Sequence, residues 1–140
     1  MGSLPQPDDL TSLVLRIDFS DEVAWNRLRA AIDSCGTQRH ATYVSDPAYA
    51  DMPIQALVDL DAAARDDEKV IYLFCADATT MTDDEQPLLA VDLHTDPGRT
   101  FRLPPAWFAE VSANLCIANM DFDEFADYTD ASGTYRGFQE

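Results

Sequence analysis

The change from alternating to helical hydrophobic spacing near the start of the chain constrains the fold most strongly. Apolar residues alternate with others in LVLRIDF (13–19), which predicts a strand. The residues on its apolar face are Leu13, Leu15, Ile17 and Phe19. From residue 20 to 35, apolar residues recur at helical spacing after Ser20, the predicted N-cap. Gly36 is predicted to end this helix. A strand followed at once by an amphipathic helix indicates a domain in which helices pack on a sheet.

The remaining segments predict four more strands and three more helices. The strands are predicted at 41–46, 69–77, 87–93 and 100–103, and the continuous apolar run at 69–77 places that strand in the centre of the sheet. The helices are predicted at 53–65, from Pro104 onward, and at 122–129. The segment 114–119 either continues the second of these helices or forms a short strand. The order β-α-β-α-β-β-β-α-(β)-α predicts an α/β or α+β fold, with helices packed on a mixed sheet.

The spacing of the two apolar runs and the chain length set the connections and the domain boundaries. The polar loop between the runs, 78–86, fits a long hairpin connection and is too short for a typical crossover helix. A chain of 140 residues fits one domain. We expect a flexible lead-in at 1–11 and a single globular domain at 12–140, with Tyr135 and Phe138 packing back onto it.

Charge limits the classes of partner. Nine basic residues against 26 acidic ones leave a net charge of −17, which disfavours nucleic acids and anionic membranes as ligands. The same charge favours a basic protein or a cationic ligand, although a compositional bias toward acidic residues would also produce it. The chain has no apolar run of membrane-spanning length and no signal-peptide pattern, and Cys35, Cys75 and Cys116 form no Cys-x-x-Cys pair. These features predict a soluble cytoplasmic protein.

Three aspartates follow predicted strands. Asp18, Asp46 and Asp77 stand at or just beyond the strands in RIDFS, YVSD and FCAD. In open α/β sheets, ligands bind at the carboxyl ends of the strands, so these carboxylates are candidate catalytic residues or ligands of a hard cation. Aspartate also caps helices and begins turns, and this structural interpretation accounts for all three positions.

Two further groups of residues are weaker candidates. Asp92, His94 and Asp96 share one side of an extended segment and could hold a transition metal, although Asp96 begins a turn. Cys35 and His40 could form a reactive pair, although Cys35 falls on the apolar stripe of its helix. The chain contains no recognisable catalytic, phosphate-binding or dinucleotide motif. We therefore predict no metal and no cofactor.

The segment NMDFDEFADYTD (119–130) predicts a short helix with an apolar and an acidic face. Phe122, Phe125, Ala126 and Thr129 form the apolar face. The residues of the acidic face are Asp123, Glu124, Asp127 and Asp130. The calcium-loop pattern is not met, and no basic residue in the segment balances the acids. This face is either solvated or a surface for a basic partner.

Four blocks of the sequence resemble a family of actinobacterial domains of unknown function. They are LVLRIDFSDEVAWNRLRAAI, YLFCADATTMTDDEQPLLAVDL, NLCIANMDFDEFAD and GTYRGF, in this order over nearly the whole chain. The resemblance implies a single-domain cytosolic protein and assigns no activity or site residue.

Two functions follow from these observations. The first is a non-enzymatic acidic binding module that engages a basic protein partner, as an immunity or antitoxin-like inhibitor does, through Asp123, Glu124, Asp127 and Tyr128. The alternative is a small biosynthetic or hydrolytic enzyme with a carboxylate pocket at Asp18, Asp46 and Asp77. An oligomeric scaffold is a third possibility, which would show a large apolar surface patch.

Overall fold

The computed structural model describes residues 4–34, 40–117 and 119–137. Its strands are β1 (Ser12–Arg16), β2 (Ala41–Val44), β3 (Tyr72–Ala76), β4 (Leu88–Asp92) and β5 (Thr100–Leu103). They form one sheet in the order β2-β1-β3-β4-β5. The strand β1 is parallel to β2 and β3, whereas β4 is antiparallel to β3 and β5. The predicted mixed sheet is therefore confirmed, and the apolar run 69–77 supplies its middle strand.

Helices cover both faces of this sheet. They are α1 (Glu22–Asp33), α2 (Ile54–Ala63), α3 (Ala78–Thr82), α4 (Phe108–Cys116) and α5 (Phe122–Ala126). Short 3-10 helices occupy Pro47–Tyr49, Asp66–Glu68 and Pro105–Trp107. The helix α2 packs on one face of the sheet, and α1, α4 and α5 contribute to the core on the other. The structure is therefore an α+β fold with apolar clusters on both sides of the sheet.

The strand β1 is buried on both faces because it lies between two strands and between two layers of helices. Leu13 and Leu15 belong to the cluster on the α2 side, and Val14 belongs to the opposite cluster. The predicted face extends to Phe19, but the strand ends at Arg16. The backbone N–H groups of Ile17 and Asp18 both donate to the Ala76 carbonyl, at 3.0 and 3.2 Å, so the regular ladder stops there. Phe19 instead lies under Arg16, whose guanidinium carbon is 4.4 Å from the centroid of the Phe19 ring.

The start of α1 differs by one residue from the prediction. The N-cap is Asp21, whose carboxylate accepts a hydrogen bond from the Ala24 N–H at 3.0 Å. The predicted cap, Ser20, donates its hydroxyl to Asp18 instead. Both side chains suit a helix start, and the one aligned with the third helical N–H caps it. The predicted helix end at Gly36 lies outside the described residues.

Two other segments resolve what the pattern left open or missed. The connection 78–86 is predicted to be a loop, but it contains the short helix α3. This helix forms because Asp77 caps it and Thr80 completes a capping box. The segment 114–119 continues α4 as far as Cys116, so the helical alternative is correct. The predicted apolar face of the last helix is confirmed for Phe122, Phe125 and Ala126, which are buried, whereas Thr129 lies beyond the end of α5.

The C-terminal segment closes the core along β5. Backbone hydrogen bonds join Arg102 to Gly133 at 2.9 Å and Tyr135 to Arg102 at 2.7 Å. Tyr135 is fully buried, and its ring meets that of Phe125 edge-on at 5.2 Å between centroids. Its hydroxyl donates to Glu110 Oε2 at 2.6 Å, which ties this segment to α4. The predicted packing of Tyr135 is confirmed, and Phe138 lies outside the described residues.

Candidate functional site

The parallel pairing of β2, β1 and β3 brings the three predicted strand-end aspartates to the same edge of the sheet. Asp77 is held there by Arg102 of β5, whose Nη1 and Nη2 donate to Oδ1 and Oδ2, both at 2.8 Å. Asp77 also accepts from the N–H and the hydroxyl of Thr80. Burial alone would raise the pKa of Asp77, but these hydrogen bonds outweigh it and hold the pKa below its usual value.

The other two strand-end aspartates organise local turns. Asp18 accepts from the Ser20 N–H at 2.8 Å, and Asp46 accepts from the Ala48 N–H at 3.0 Å as the N-cap of a 3-10 helix. Beside them, the buried Arg16 donates to the Asp18 carbonyl at 3.0 Å and to Glu22 at 3.1 Å.

This edge therefore combines carboxylates with two guanidinium groups, Arg16 and Arg102, which sequence reasoning missed. Within the described ranges, no group of three or more His, Cys, Asp or Glu side chains could hold a metal ion. The structure shows that Asp18, Asp46 and Asp77 each accept local backbone hydrogen bonds. Their catalytic role stays a prediction.

The candidate Asp92–His94–Asp96 group forms a turn built on a buried carboxylate. Asp92 is only 2% exposed and accepts from the backbone N–H groups of His94, Thr95 and Asp96 at 2.9, 3.2 and 3.0 Å. His94 and Asp96 are exposed. Because both oxygens of Asp92 bind the turn backbone, this residue shapes the loop in which His94 lies.

The cysteines in the described residues occupy different environments. Cys75 is buried in the core of β3, and burial raises the pKa of its thiol. Cys116 is half-buried, and its Sγ lies 3.2 Å from the Tyr72 hydroxyl. The candidate pair of Cys35 and His40 cannot be placed together, since Cys35 lies outside the described residues.

The acidic residues of the last helix do have an internal counter-charge, contrary to the sequence interpretation. Arg99, between β4 and β5, donates through Nη1 to Asp123 Oδ1 at 2.7 Å and through Nη2 to Asp127 Oδ1. The hydrogen bonds to Asp127 and Asp123 raise the pKa of the Arg99 guanidinium. A single cation thus holds side by side two carboxylates that would otherwise repel each other at i, i+4 spacing.

Asp130 lies outside this helix, also contrary to the prediction, because α5 ends at Ala126. Its carboxylate accepts from Ser132 and Thr134 in the following turn and from Arg136 Nε at 3.0 Å. Hydrogen bonds from Ser132, and then from Arg136, hold the pKa of Asp130 far below its usual range. Arg136 also binds both carboxylate oxygens of Glu85, at 2.6 and 2.9 Å.

Of the predicted partner-binding residues, Asp123 and Glu124 lie in the first turn of α5, and Asp127 and Tyr128 directly follow its last residue. We call Asp123, Glu124, Asp127 and Tyr128 the acidic surface. Asp127 and Tyr128 are 68% and 42% exposed, and Glu124 caps the helix start by accepting from the Asp121 N–H at 3.1 Å. Tyr128 also lines a cavity of about 240 Å³ with Thr134 and other residues of the C-terminal turn.

Sequence reasoning could have found some of these contacts. The spacing Asp121-x-x-Glu124 follows the capping-box pattern, and Asp77-x-x-Thr80 is a related one. The guanidinium partners were beyond its reach, because Arg99 lies 24 residues from Asp123 and Arg102 lies 25 residues from Asp77.

Among the helices of the described residues, none combines the length and the hydropathy needed to cross a bilayer. A comparison with curated proteins finds no match. Residues 11–138, nearly the whole chain, match the profile of a family described as a domain of unknown function (DUF6924). The chain belongs to this family.

Proposed function

We propose that the chain is a non-enzymatic binding module that engages a basic protein partner through the acidic surface. An immunity or antitoxin-like inhibitor is the most concrete form of this proposal. The observation that carries it is the fork of Arg99, which fixes Asp123 and Asp127 side by side while Asp127 stays 68% exposed.

Three physical features support this assignment. The acidic surface has three carboxylates, and Arg99 pairs with two of them, so its local charge stays negative after pairing. Because the carboxylates are already fixed, less side-chain conformational entropy is lost when a partner's cations bind them. Tyr128 adds an exposed aromatic ring next to them, and tyrosine is enriched among the residues that dominate binding energies.

The partner can be captured by placing a photo-crosslinking amino acid at Tyr128 in cells of the source organism. We infer that the protein acts in the cytoplasm, so intact cells are the appropriate setting. The matched control carries the crosslinker at Val23, which is 70% exposed on α1. We expect one discrete adduct with a basic protein from the Tyr128 position and none from the control.

Association kinetics with the captured protein then test the role of charge. The triple variant Asp123→Asn, Glu124→Gln, Asp127→Asn removes three charges, and glutamine keeps the capping interaction. The control Asp66→Asn, Asp67→Asn, Glu68→Gln removes the same number of charges from the 3-10 helix Asp66–Glu68, which contributes no residue to the acidic surface. At low ionic strength we expect about a tenfold slower association for the first triple and a much smaller effect for the second. Equal effects, or an acidic captured partner, would refute the proposal.

A further inference from the structure

A second cavity lies at the start of α5, where three separate segments meet. Its volume is about 220 Å³. The segments are the start of β3, the turn after β4, and the connection from α4 to α5. The apolar part of its lining comes from Ile71, Leu115, Met120 and Phe122, and the polar part includes His94 and Asp121. None of these residues belongs to the acidic surface.

One wall of this cavity is held in a strained conformation. Ile71 has φ +68°, which a β-branched residue rarely adopts, and its side chain remains 43% exposed. The strain is maintained by Asp61, which is 1% exposed and accepts from the N–H groups of Val70 and Ile71 at 2.7 and 3.1 Å. A left-handed, non-glycine backbone is costly and persists only where its surroundings impose it. Here the surroundings present an apolar side chain to the cavity.

The adjoining wall is fixed by the second buried carboxylate. Asp92 binds three successive N–H groups of the turn that carries His94 and Thr95, both of which line the cavity. The Leu93 N–H donates to the Ile71 carbonyl at 2.9 Å, which joins this turn to the strained wall. Two buried carboxylates thus hold the backbone of both walls, so the cavity is formed before any ligand arrives.

We propose that this cavity binds a small primary amine with an aromatic body. Ile71, Leu115 and Phe122 provide an apolar surface for the ring. The described residues of the lining include Asp121 and no lysine or arginine, so the lining favours a cation. Tyr72 also lines the cavity and offers a ring for a cation–π contact with an ammonium group. A cavity below the usual range of about 300–1,000 Å³ selects a ligand on the order of ten non-hydrogen atoms.

Amide NMR titration at physiological ionic strength tests this proposal with defined probes. The probes are phenethylamine, its neutral analogue phenethyl alcohol, and its anionic analogue phenylacetate. We expect saturable shifts at residues 71, 94 and 121, with phenethylamine binding at least about fivefold more tightly than phenethyl alcohol and phenylacetate binding most weakly. N-acetyl-lysine methylamide represents a protein side chain as the alternative source of an ammonium group, and we expect it to bind more weakly than phenethylamine.

Two variants separate binding from folding. Asp121→Asn keeps a good N-cap and should abolish the preference for the amine over the alcohol. Ile71→Gly relieves the left-handed strain, so it should leave the fold intact and weaken all aromatic probes about tenfold by removing the wall. The control Leu10→Gly relieves similar strain at φ +62° on another exposed aliphatic residue, outside the cavity, and should leave affinity unchanged.

Several outcomes would overturn the proposal. They are the absence of saturable shifts, equal affinity for phenylacetate, tighter binding of the lysine probe, and unchanged affinity in Ile71→Gly. Shifts centred on Asp123 and Asp127 would also overturn it, because they would indicate nonspecific condensation of amines on the acidic surface. The partner experiments use other residues and another readout, so either proposal can fail alone.

Discussion

Replacing Arg102 with methionine removes the guanidinium that binds Asp77 and keeps an unbranched apolar stem in β5. The change eliminates two charge-assisted hydrogen bonds of 2.8 Å, between side chains that are only 23% and 19% exposed. Each such bond contributes about 1.5–3 kcal/mol when well shielded. Because solvent reaches both groups in part, we expect Arg102→Met to lower the free energy of unfolding by about 2–3 kcal/mol.

A double-mutant cycle isolates the pair from its surroundings. Asp77→Asn removes the charge while asparagine retains the cap on α3. With the single variants and the double variant, we expect a coupling energy of about 2 kcal/mol at neutral pH. Urea unfolding followed by tryptophan fluorescence measures it, because Trp25 is buried in the core that unfolding exposes. A coupling energy below about 0.5 kcal/mol would refute the inference that this pair stabilises the fold.

The pH dependence of the same cycle provides a second test. The folded-state pKa of Asp77 lies below that of the unfolded chain, which is about 3.9 for aspartate. The stabilisation from its charge is therefore fully present above the unfolded pKa and is lost as pH falls through the folded pKa. We expect the coupling energy to decrease in acid below that window. A coupling energy that stays constant across it would contradict the assignment of the charge as its source.

Two further variants and one control test the contacts of the C-terminal segment by the same unfolding measurement. Phe125→Ala should lower the free energy of unfolding by about 3–5 kcal/mol, because the ring is fully buried against Phe101 and Tyr135. The control Val23→Ala, on the exposed face of α1, should change it by no more than about 0.5 kcal/mol. Tyr135→Phe should cost about 1 kcal/mol through loss of the hydrogen bond to Glu110, and stability equal to the parent chain would show that this bond contributes nothing.

The sequence predicts the parts of this fold that depend on local periodicity. Alternating apolar residues located β1, and a continuous apolar run located β3 at the centre of the sheet. Both signals arise because burial repeats with the geometry of the backbone. The boundaries were less accurate, since Ser20 and Asp21 are both suitable N-cap residues, and only Asp21 accepts from a helical N–H while the Ser20 hydroxyl donates to Asp18. The helix α3 was not predicted, because five residues are too few to show a helical hydrophobic period.

The candidate sites depended on contacts that no local pattern contains. The acidic surface was found as a run of carboxylates, but its organising cation, Arg99, comes from another part of the chain. The cavity beside Ile71 was missed entirely, because its walls come from three distant segments and its strain is a property of the backbone. The single sequence signal for it was the Asp92–His94 spacing, which suggested a metal and instead marks a turn stabilised by a buried carboxylate.

Ion pairing inside the chain also changes how its net charge should act on a partner. In the part of the chain that the structure describes, five arginines each pair with at least one carboxylate: Arg16, Arg65, Arg99, Arg102 and Arg136. Such pairs leave the net charge of −17 unchanged. Beyond a short distance, however, the potential of each paired guanidinium is largely cancelled by its carboxylate. Where one guanidinium serves two carboxylates, as Arg99 does, the local excess stays negative. Steering should therefore depend on position rather than on total charge, which is why the two charge-matched triple variants are expected to differ.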